Sequence, residues 1–333
     1  MTYTLSDFDY LLPDELIAQK PATPRDHSRL LVYDRQKGEI LDDYFYNIGD
    51  HLPPKTSLVV NNSKVEKCRF LFNDGKIEIF VTKAVNNKTV EAMVRPGKKF
   101  KPGKTFDLPG GITAKTLSVA EDGIRNIELS HSLDDPALEP YKYTPFPPYI
   151  ERDESLADRY QTVFAKDLGS KAAPTAGLHF TPELLEKLHK QGIEKKEVTL
   201  HVGLGTFAPV KADKIEDHIM HSEWYRVTNK QAEALNRSKS ITAVGTTSVR
   251  VLESLPKKEG KFIAGSGDTD IFITPGYKFK SVDHLITNFH LPKSTLLMLI
   301  SAFVGFEEMK RIYRHAIEEK YRFYSFGDAM LIL

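Results

Sequence analysis

Three short runs in this chain bring residues able to do chemistry close together. Leu200-His-Val-Gly-Leu-Gly-Thr-Phe207, Gly245-Thr-Thr-Ser-Val-Arg250 and Thr287-Asn-Phe-His290 mix glycine, hydroxyl and imidazole groups, and each follows an apolar stretch. Exposed amides at the start of a helix, with hydroxyls beside them and the helix dipole behind, receive a carboxylate or a phosphate. Gly245 to Arg250 has the composition for this, and simple capping by Thr247 or Ser248 is the plainer use of the same residues. Histidine titrates near neutral pH and suits proton transfer. His179, His201, His218, His221 and His290 are five of the eleven histidines and fall in the second half of the chain, in the loops expected after its strands. The two glycines of the first run do not make a dinucleotide fingerprint, because the spacing is wrong and no helix follows at once.

His218, His221 and Glu223 are possible metal ligands by type, but on a strand His218 would face away from the other two. Arg95-Pro-Gly-Lys-Lys-Phe-Lys-Pro-Gly-Lys104 places Arg95, Lys98, Lys99, Lys101 and Lys104 around Phe100 in a hairpin-like turn. Such a run is either a solvated turn or a patch for a nucleic-acid backbone.

These groups need a framework. Arg29–Tyr33 and Ser57–Val60 read as strands, and Asp14–Lys20 and Phe45–Leu52 as helices. Residues 76–85, 89–94, 105–108, 112–119 and 124–129 are short strands punctuated by glycine and asparagine, the pattern of a small antiparallel barrel or sandwich. The proline-rich stretch Pro140–Pro148 closes that segment.

Helix–strand alternation then returns. Thr181-Pro182 starts one helix, Thr228 with Gln231 forms a capping box, and Ser294 caps a helix to Val304. Residues 196–202, 225–227, 241–244, 270–273 and 284–286 read as strands, 249–255 as a helix, and 307–321 as a long amphipathic one. The organisation expected is one α/β domain from residues 1–65 and 151–333, with residues 66–150 inserted as a β-barrel. In open α/β sheets, ligands bind where strands end.

With 333 residues, 41% hydrophobic and 27% charged, the composition is that of a globular chain. A net charge of +1 requires any nucleic-acid contact to be a local patch. One cysteine, Cys68, rules out an intramolecular disulfide and reads as a packed residue. The N-terminus lacks the order of a signal peptide, and the apolar stretch Leu296–Phe306 is about half of the ~20 residues a membrane span needs. A cytoplasmic protein is expected.

Taken in order, Arg25-Asp26, Ser28-Arg-Leu30, Asn61-Asn62, Ala173-Pro-Thr-Ala-Gly-Leu-His-Phe180, Thr199–Phe207, His221-Ser-Glu223, Gly245–Arg250, Thr269–Ile273, Thr287–Thr295 and Gly327–Met330 resemble the S-adenosylmethionine:tRNA ribosyltransferase-isomerase family of queuosine biosynthesis. The resemblance runs through nearly the whole chain. It implies a large α/β domain on a mixed, barrel-like sheet with a small inserted antiparallel β-barrel. It also implies a tRNA substrate carrying 7-aminomethyl-7-deazaguanine, a consumed S-adenosylmethionine, and no metal or other cofactor. Adenine and methionine leave and epoxyqueuosine remains. Lys64 stands where arginine is expected, Lys171 where a small apolar residue is expected, and Ala208 where arginine is usual.

For that reaction the candidates for proton transfer are His179, His201 and His290, with Asp270 or Asp328 as orienting or cation-binding carboxylates. Gly245, Thr246, Thr247, Ser248, Arg250 and Asn288 are the candidates for holding S-adenosylmethionine, its carboxylate above all. Phe289 is either a platform for the purine or a core residue. The basic run and Lys293 are the candidates for tRNA. A monomer is expected. An ordinary RNA methyltransferase would want a glycine-rich loop after an early strand. A non-catalytic tRNA-binding protein would want dispersed basic and aromatic residues.

Overall fold

The computed structural model describes residues 3–203, 205, 210 and 212–333. The chain divides into two compact units, Met1–Lys64 with Pro147–Leu333, and Val65–Phe146.

The larger unit is built on a nine-stranded mixed sheet. Its four central strands, Glu194–Leu200, Ser57–Asn61, Ile241–Val244 and His284–Asn288, run parallel to one another. Ala329–Ile332 pairs antiparallel with His284–Asn288 and parallel with Arg29–Asp34, which forms a hairpin with the edge strand Glu39–Tyr44. Glu223–Val227 and Gly265–Thr269 complete the other side in antiparallel register.

Ser57–Asn61 and Ile241–Val244 are buried along their whole length and carry no charged residue, whereas Glu194–Leu200 opens on four charged residues and turns apolar at Val198. Leu31, Val59, Ala243, Leu285 and Met330 enter one core. Their neighbours Leu30, Val60, Val244, Ile286 and Leu331 enter the other. Each fully buried Leu, Ile or Val of this kind contributes about 1.5–3 kcal/mol.

Among the described residues there are six α-helices. They are α1 (Ile48–His51), α2 (Pro182–Lys190), α3 (Asn229–Asn236), α4 (Thr246–Ser254), α5 (Thr295–Val304) and α6 (Phe306–Glu318). The Thr181 hydroxyl accepts from Leu184 N, Thr228 and Gln231 form the expected capping box, and the Ser294 hydroxyl accepts from Leu297 N. Among the described residues no helix is long and apolar enough to cross a membrane. Asp14–Lys20 is not a helix: Asp14–Leu16 makes a single 3-10 turn and Ile17 is already extended. The strand expected at residues 270–273 is displaced to Gly265–Thr269, whose pairing with Glu223–Val227 holds a segment without β propensity.

The smaller unit is a seven-stranded antiparallel sheet curled as a half-barrel. Its order is Lys142–Tyr143, Arg69–Phe72, Ile77–Ala84, Thr89–Arg95, Arg125–Leu129, Ile112–Val119, Thr105–Leu108. Alternating residues such as Val90, Ala92, Ile112, Ala114, Ile127 and Leu129 form its inner face. Cys68 is buried there, and burial pushes its thiol up to about 12, as expected for a packed residue. The mixed α/β class with an antiparallel β unit is thus the one expected.

Candidate active site

Strand direction decides where chemistry collects. The four parallel strands end at Leu200, Asn61, Val244 and Asn288, and the strands starting at Ala329 and Arg29 begin at that same end. There a cleft of about 670 Å³ opens, lined among others by Tyr149, Ala173–Ala176, Val202, Gly245–Thr247, Thr287–Leu291, Ser294, Tyr324 and Ser325. A cleft at the carboxyl ends of parallel strands is the general location of ligand sites in such sheets.

Helix α4 points its N-terminus at this cleft. Gly245 is its N-cap at φ +85°, a conformation that costs glycine nothing, and it brings no capping side chain. The first amides of α4 therefore lack a side-chain cap, and Thr247 Oγ1 is buried with no hydrogen-bond partner among the described residues. The helix begins three residues earlier than its sequence pattern shows, so Thr246 and Thr247 belong to its first turn. Ser248 does not share their role, because its hydroxyl donates to Val244 O at 2.8 Å.

The histidines divide into different jobs. His179 is buried on a 3-10 turn, Thr175–His179, which the Arg25 guanidinium anchors by donating to Leu178 O at 3.3 Å. Its Nδ1 meets Ser28 Oγ at 2.8 Å and its Nε2 meets Asn288 Nδ2 at 3.1 Å. The Thr175 hydroxyl donates to Asn288 Oδ1 at 3.0 Å, which makes Asn288 Nδ2 the donor to the ring. His179 is therefore neutral, with its proton on Nδ1, and it orients Asn288. Burial holds its pKa down at about 4. Both nitrogens being engaged, the ring is a positioning group; its expected proton-transfer role passes to others.

The sign of that shift is testable. The unfolded chain binds a proton at 6.5 that the folded site takes up only near 4, so this stabilisation is complete above pH 6.5 and is lost as pH falls towards 4. Thermal midpoints across pH 4–8 are expected to drop more steeply on the acid side in the wild type than in His179→Asn.

His290 lines the cleft. Its Nε2 is 2.8 Å from Thr287 Oγ1, and Thr287 donates onward to Asn288 O at 3.3 Å. Nε2 then carries the proton and the Nδ1 lone pair has no protein partner among the described residues. Tyr10 OH bonds the His290 carbonyl and the His290 amide donates to Tyr313 OH at 3.0 Å, fixing the backbone on both sides. Burial lowers this imidazole to about 3, so it is a neutral base throughout the ordinary pH range. His201 sits beside the cleft, not on it. Its ring packs on Trp224 at 4.9 Å and fills the space a Cβ on Gly169 would take. Burial lowers it too.

Three expected contacts are put to other uses. The Phe289 ring is fully buried among Tyr313, Tyr321 and Phe323, so it is a core residue and offers no platform for a purine. Asp270 is exposed, just beyond its strand, and does not line the cleft. Asp328 is buried and accepts from Arg29 N, Arg322 N and the Arg322 guanidinium, which clasps the chain ends and leaves it a structural carboxylate beside His179.

Arg250 lies one turn after Thr246 on α4 and lines a second cleft of about 390 Å³. Its guanidinium pairs with the Glu223 carboxylate and donates to Thr269 O at 3.1 Å. Glu223 also accepts from Gly203 N at 2.7 Å, which gives this carboxylate a structural use where a metal ligand was considered.

Lys171 is buried, its amide donates to Val202 O at 2.8 Å, and burial pulls its ammonium down to about 8. This departure from the family pattern thus stands next to His201, whose proton affinity its charge reduces further. Lys64 is exposed. Ala208 and part of the Leu200–Phe207 run lie outside the described residues.

Tyr149, Tyr324 and Ser325 are the cleft residues that sequence reasoning missed. The two rings lie 4.7 Å apart and Tyr149 OH bonds Ser325 Oγ at 2.8 Å. Tyr324 holds φ +71°, a conformation costing a bulky residue of order 1–3 kcal/mol, which is tolerated here at the mouth of the cleft.

In the smaller unit, Lys98, Lys99, Lys101 and Lys104 are exposed. They sit on a crossover connection, since Thr89–Arg95 and Thr105–Leu108 are not neighbours in the sheet, and the expected hairpin is absent. Phe100 is buried against Phe106 at 4.8 Å and anchors the loop, and Arg95 pairs with Glu78 at 3.1 Å. In the larger unit, Lys293 pairs with Asp9 at 2.7 Å.

An α/β architecture with a cleft lined by a neutral imidazole, hydroxyls and helix amides suits an enzyme handling a polar organic substrate. Comparison with known proteins identifies which. A family model described as queuosine biosynthesis protein matches residues 5–332. The S-adenosylmethionine:tRNA ribosyltransferase-isomerase of Thermoanaerobacter sp. is 48% identical, over 98% of this chain and 99% of its own length. That of Clostridium kluyveri is 46% identical over the same shares. The crystal structure of an S-adenosylmethionine tRNA ribosyltransferase from Thermotoga maritima superposes with a TM-score of 0.57 at 39% identity, covering 98% of this chain and 100% of that one. The chain belongs to the queuosine biosynthesis family of tRNA ribosyltransferase-isomerases.

Proposed function

We propose that the protein transfers and isomerises the ribosyl moiety of S-adenosylmethionine onto 7-aminomethyl-7-deazaguanine at the wobble position of tRNA. Each turnover consumes one S-adenosylmethionine, releases one adenine and one methionine, and leaves epoxyqueuosine in the tRNA. The observation that supports this most is the cleft that the α4 N-terminus, Thr247, Asn288 and His290 line together.

The sulfonium of the co-substrate acidifies its 5′ carbon, and a neutral imidazole takes a proton there. His290 is that base, since it lines the cleft and burial keeps its imidazole neutral there. The amides and hydroxyls at Thr246 and Thr247 hold polar groups of S-adenosylmethionine. Tyr149 and Tyr324 give the adenine an aromatic wall, the place first assigned to Phe289. No metal and no further cofactor enters this scheme, and the protein acts as a cytoplasmic monomer.

The direct test is to incubate the protein with S-adenosylmethionine and tRNA bearing the aminomethyl base and to assay free adenine. Adenine in amounts matching modified tRNA supports the scheme. Its absence with an intact, folded protein sinks it.

The basic loop is the second element, holding the tRNA backbone. Reversing Lys98, Lys99 and Lys101 to glutamate is expected to weaken tRNA binding and flatten its salt dependence. Each lost phosphate contact changes the log–log slope by roughly 0.7–0.9. An unaltered slope removes the loop from the interface.

A further inference from the structure

Three aromatic rings form a ladder on the outside of the larger unit. Tyr44, at the end of the edge strand, and Tyr46 stack with centroids 5.5 Å apart and planes 5° apart. His27 meets Tyr46 at 5.1 Å. Tyr44 is 47% exposed and the His27 side chain 55% exposed, so both ends of the row reach solvent, with the His27 ring tilted 52° to Tyr46.

The residues between them turn inwards. Phe45 is fully buried and packs on His179 at 5.0 Å, and Ser28 is the residue bonded to His179 Nδ1. The two segments that carry the ladder outside thus hold, inside, the imidazole that orients Asn288 in the cleft.

An exposed parallel stack has the chemistry of a platform for flat π systems, and unpaired nucleobases are read this way by proteins that bind single-stranded RNA. The charge around it fits a base better than a row of phosphates. Asp26 pairs with His27 at 3.1 Å and Asp43 with His51 at 2.6 Å, while Lys187 adds a cation, donating to Tyr46 O at 3.3 Å. We propose that His27, Tyr46 and Tyr44 form a stacking site for unpaired bases next to the target nucleotide. This rests on the reading that the target lies in the anticodon loop of tRNA.

The test uses the full chain and a stem-loop RNA with 2-aminopurine beside the target position. Tyr44→Ala is expected to weaken RNA binding roughly 5- to 100-fold, the range of one lost base–ring stack. It should raise KM for tRNA, leave kcat at saturating tRNA within about two-fold, and leave the salt slope and S-adenosylmethionine affinity unchanged. Tyr44→Phe should restore binding, and the quenching of 2-aminopurine seen with wild type should vanish in Tyr44→Ala. Wild-type affinity and quenching in both Tyr44→Ala and Tyr44→Ala/Tyr46→Ala would overturn the proposal, as would a Tyr44→Phe variant as weak as alanine. Should wild-type protein bind the RNA yet transfer nothing to a tRNA bearing the aminomethyl base, the functional reading fails while the stacking site is still judged by the binding data.

Discussion

Replacing His290 by alanine is expected to lower turnover by about 10²–10⁴-fold while the protein stays folded and binds tRNA as before. The expectation rests on geometry. Thr287 holds Nε2 at 2.8 Å, the backbone is fixed through Tyr10 and Tyr313, and His290 lines the cleft with Nδ1 lacking a protein partner among the described residues. The pH dependence makes it specific. Burial keeps the folded imidazole at about 3, below its usual 6.5, so the basic form is present above pH 4 and is lost only as pH falls through 3. The rate should carry no acid limb near 6.5 from this residue. A limb at 6.5 that disappears in His290→Ala, or a variant with undiminished turnover, would contradict the role.

Arg250→Ala is expected to cost about 3–5 kcal/mol of stability, whatever it does to substrate affinity. Removing the guanidinium leaves the Glu223 carboxylate 5% exposed and without its buried counter-charge. Thr269 O loses its donor as well. In a chain of this size such a loss lowers the thermal midpoint by roughly 4–7 °C. Glu223→Gln should soften the Arg250→Ala penalty when the two are combined, because the stranded charge is gone. A variant that melts like wild type but no longer binds S-adenosylmethionine would show Arg250 to be a ligand contact and not a structural one.

What the sequence made legible follows from local physics. Apolar runs announced Ser57–Asn61 and Ile241–Val244 because these strands are buried on both faces, and Thr181, Thr228 and Ser294 announced helices because a cap is a local bond. The start of α4 was hidden: two β-branched threonines after a glycine read as a loop, and only tertiary packing makes them a first turn. Gly265–Thr269 gave no strand signal, since its ladder with Glu223–Val227 supplies what propensity does not.

The candidate site was legible as a set of loops, yet roles inside it were not. His179 and His290 look alike in sequence. They differ because partners more than a hundred residues away occupy both nitrogens of one ring, while the other ring keeps Nδ1 open. Tyr149 and Tyr324 carry no motif, and meet only because distant loops fold over the same strand ends.

The most direct test of the central claim follows two labels of S-adenosylmethionine in parallel incubations with tRNA carrying the aminomethyl base. One label is in the ribose and the other in the methyl group. A ribosyl transfer moves ribose carbon into the tRNA, sends the methyl group away with methionine and frees adenine in equal amount. A methyltransferase attacks the methyl carbon and leaves the nucleoside whole. Label in tRNA from the ribose alone, matched by free adenine, is the predicted result; methyl label in tRNA without adenine would contradict it.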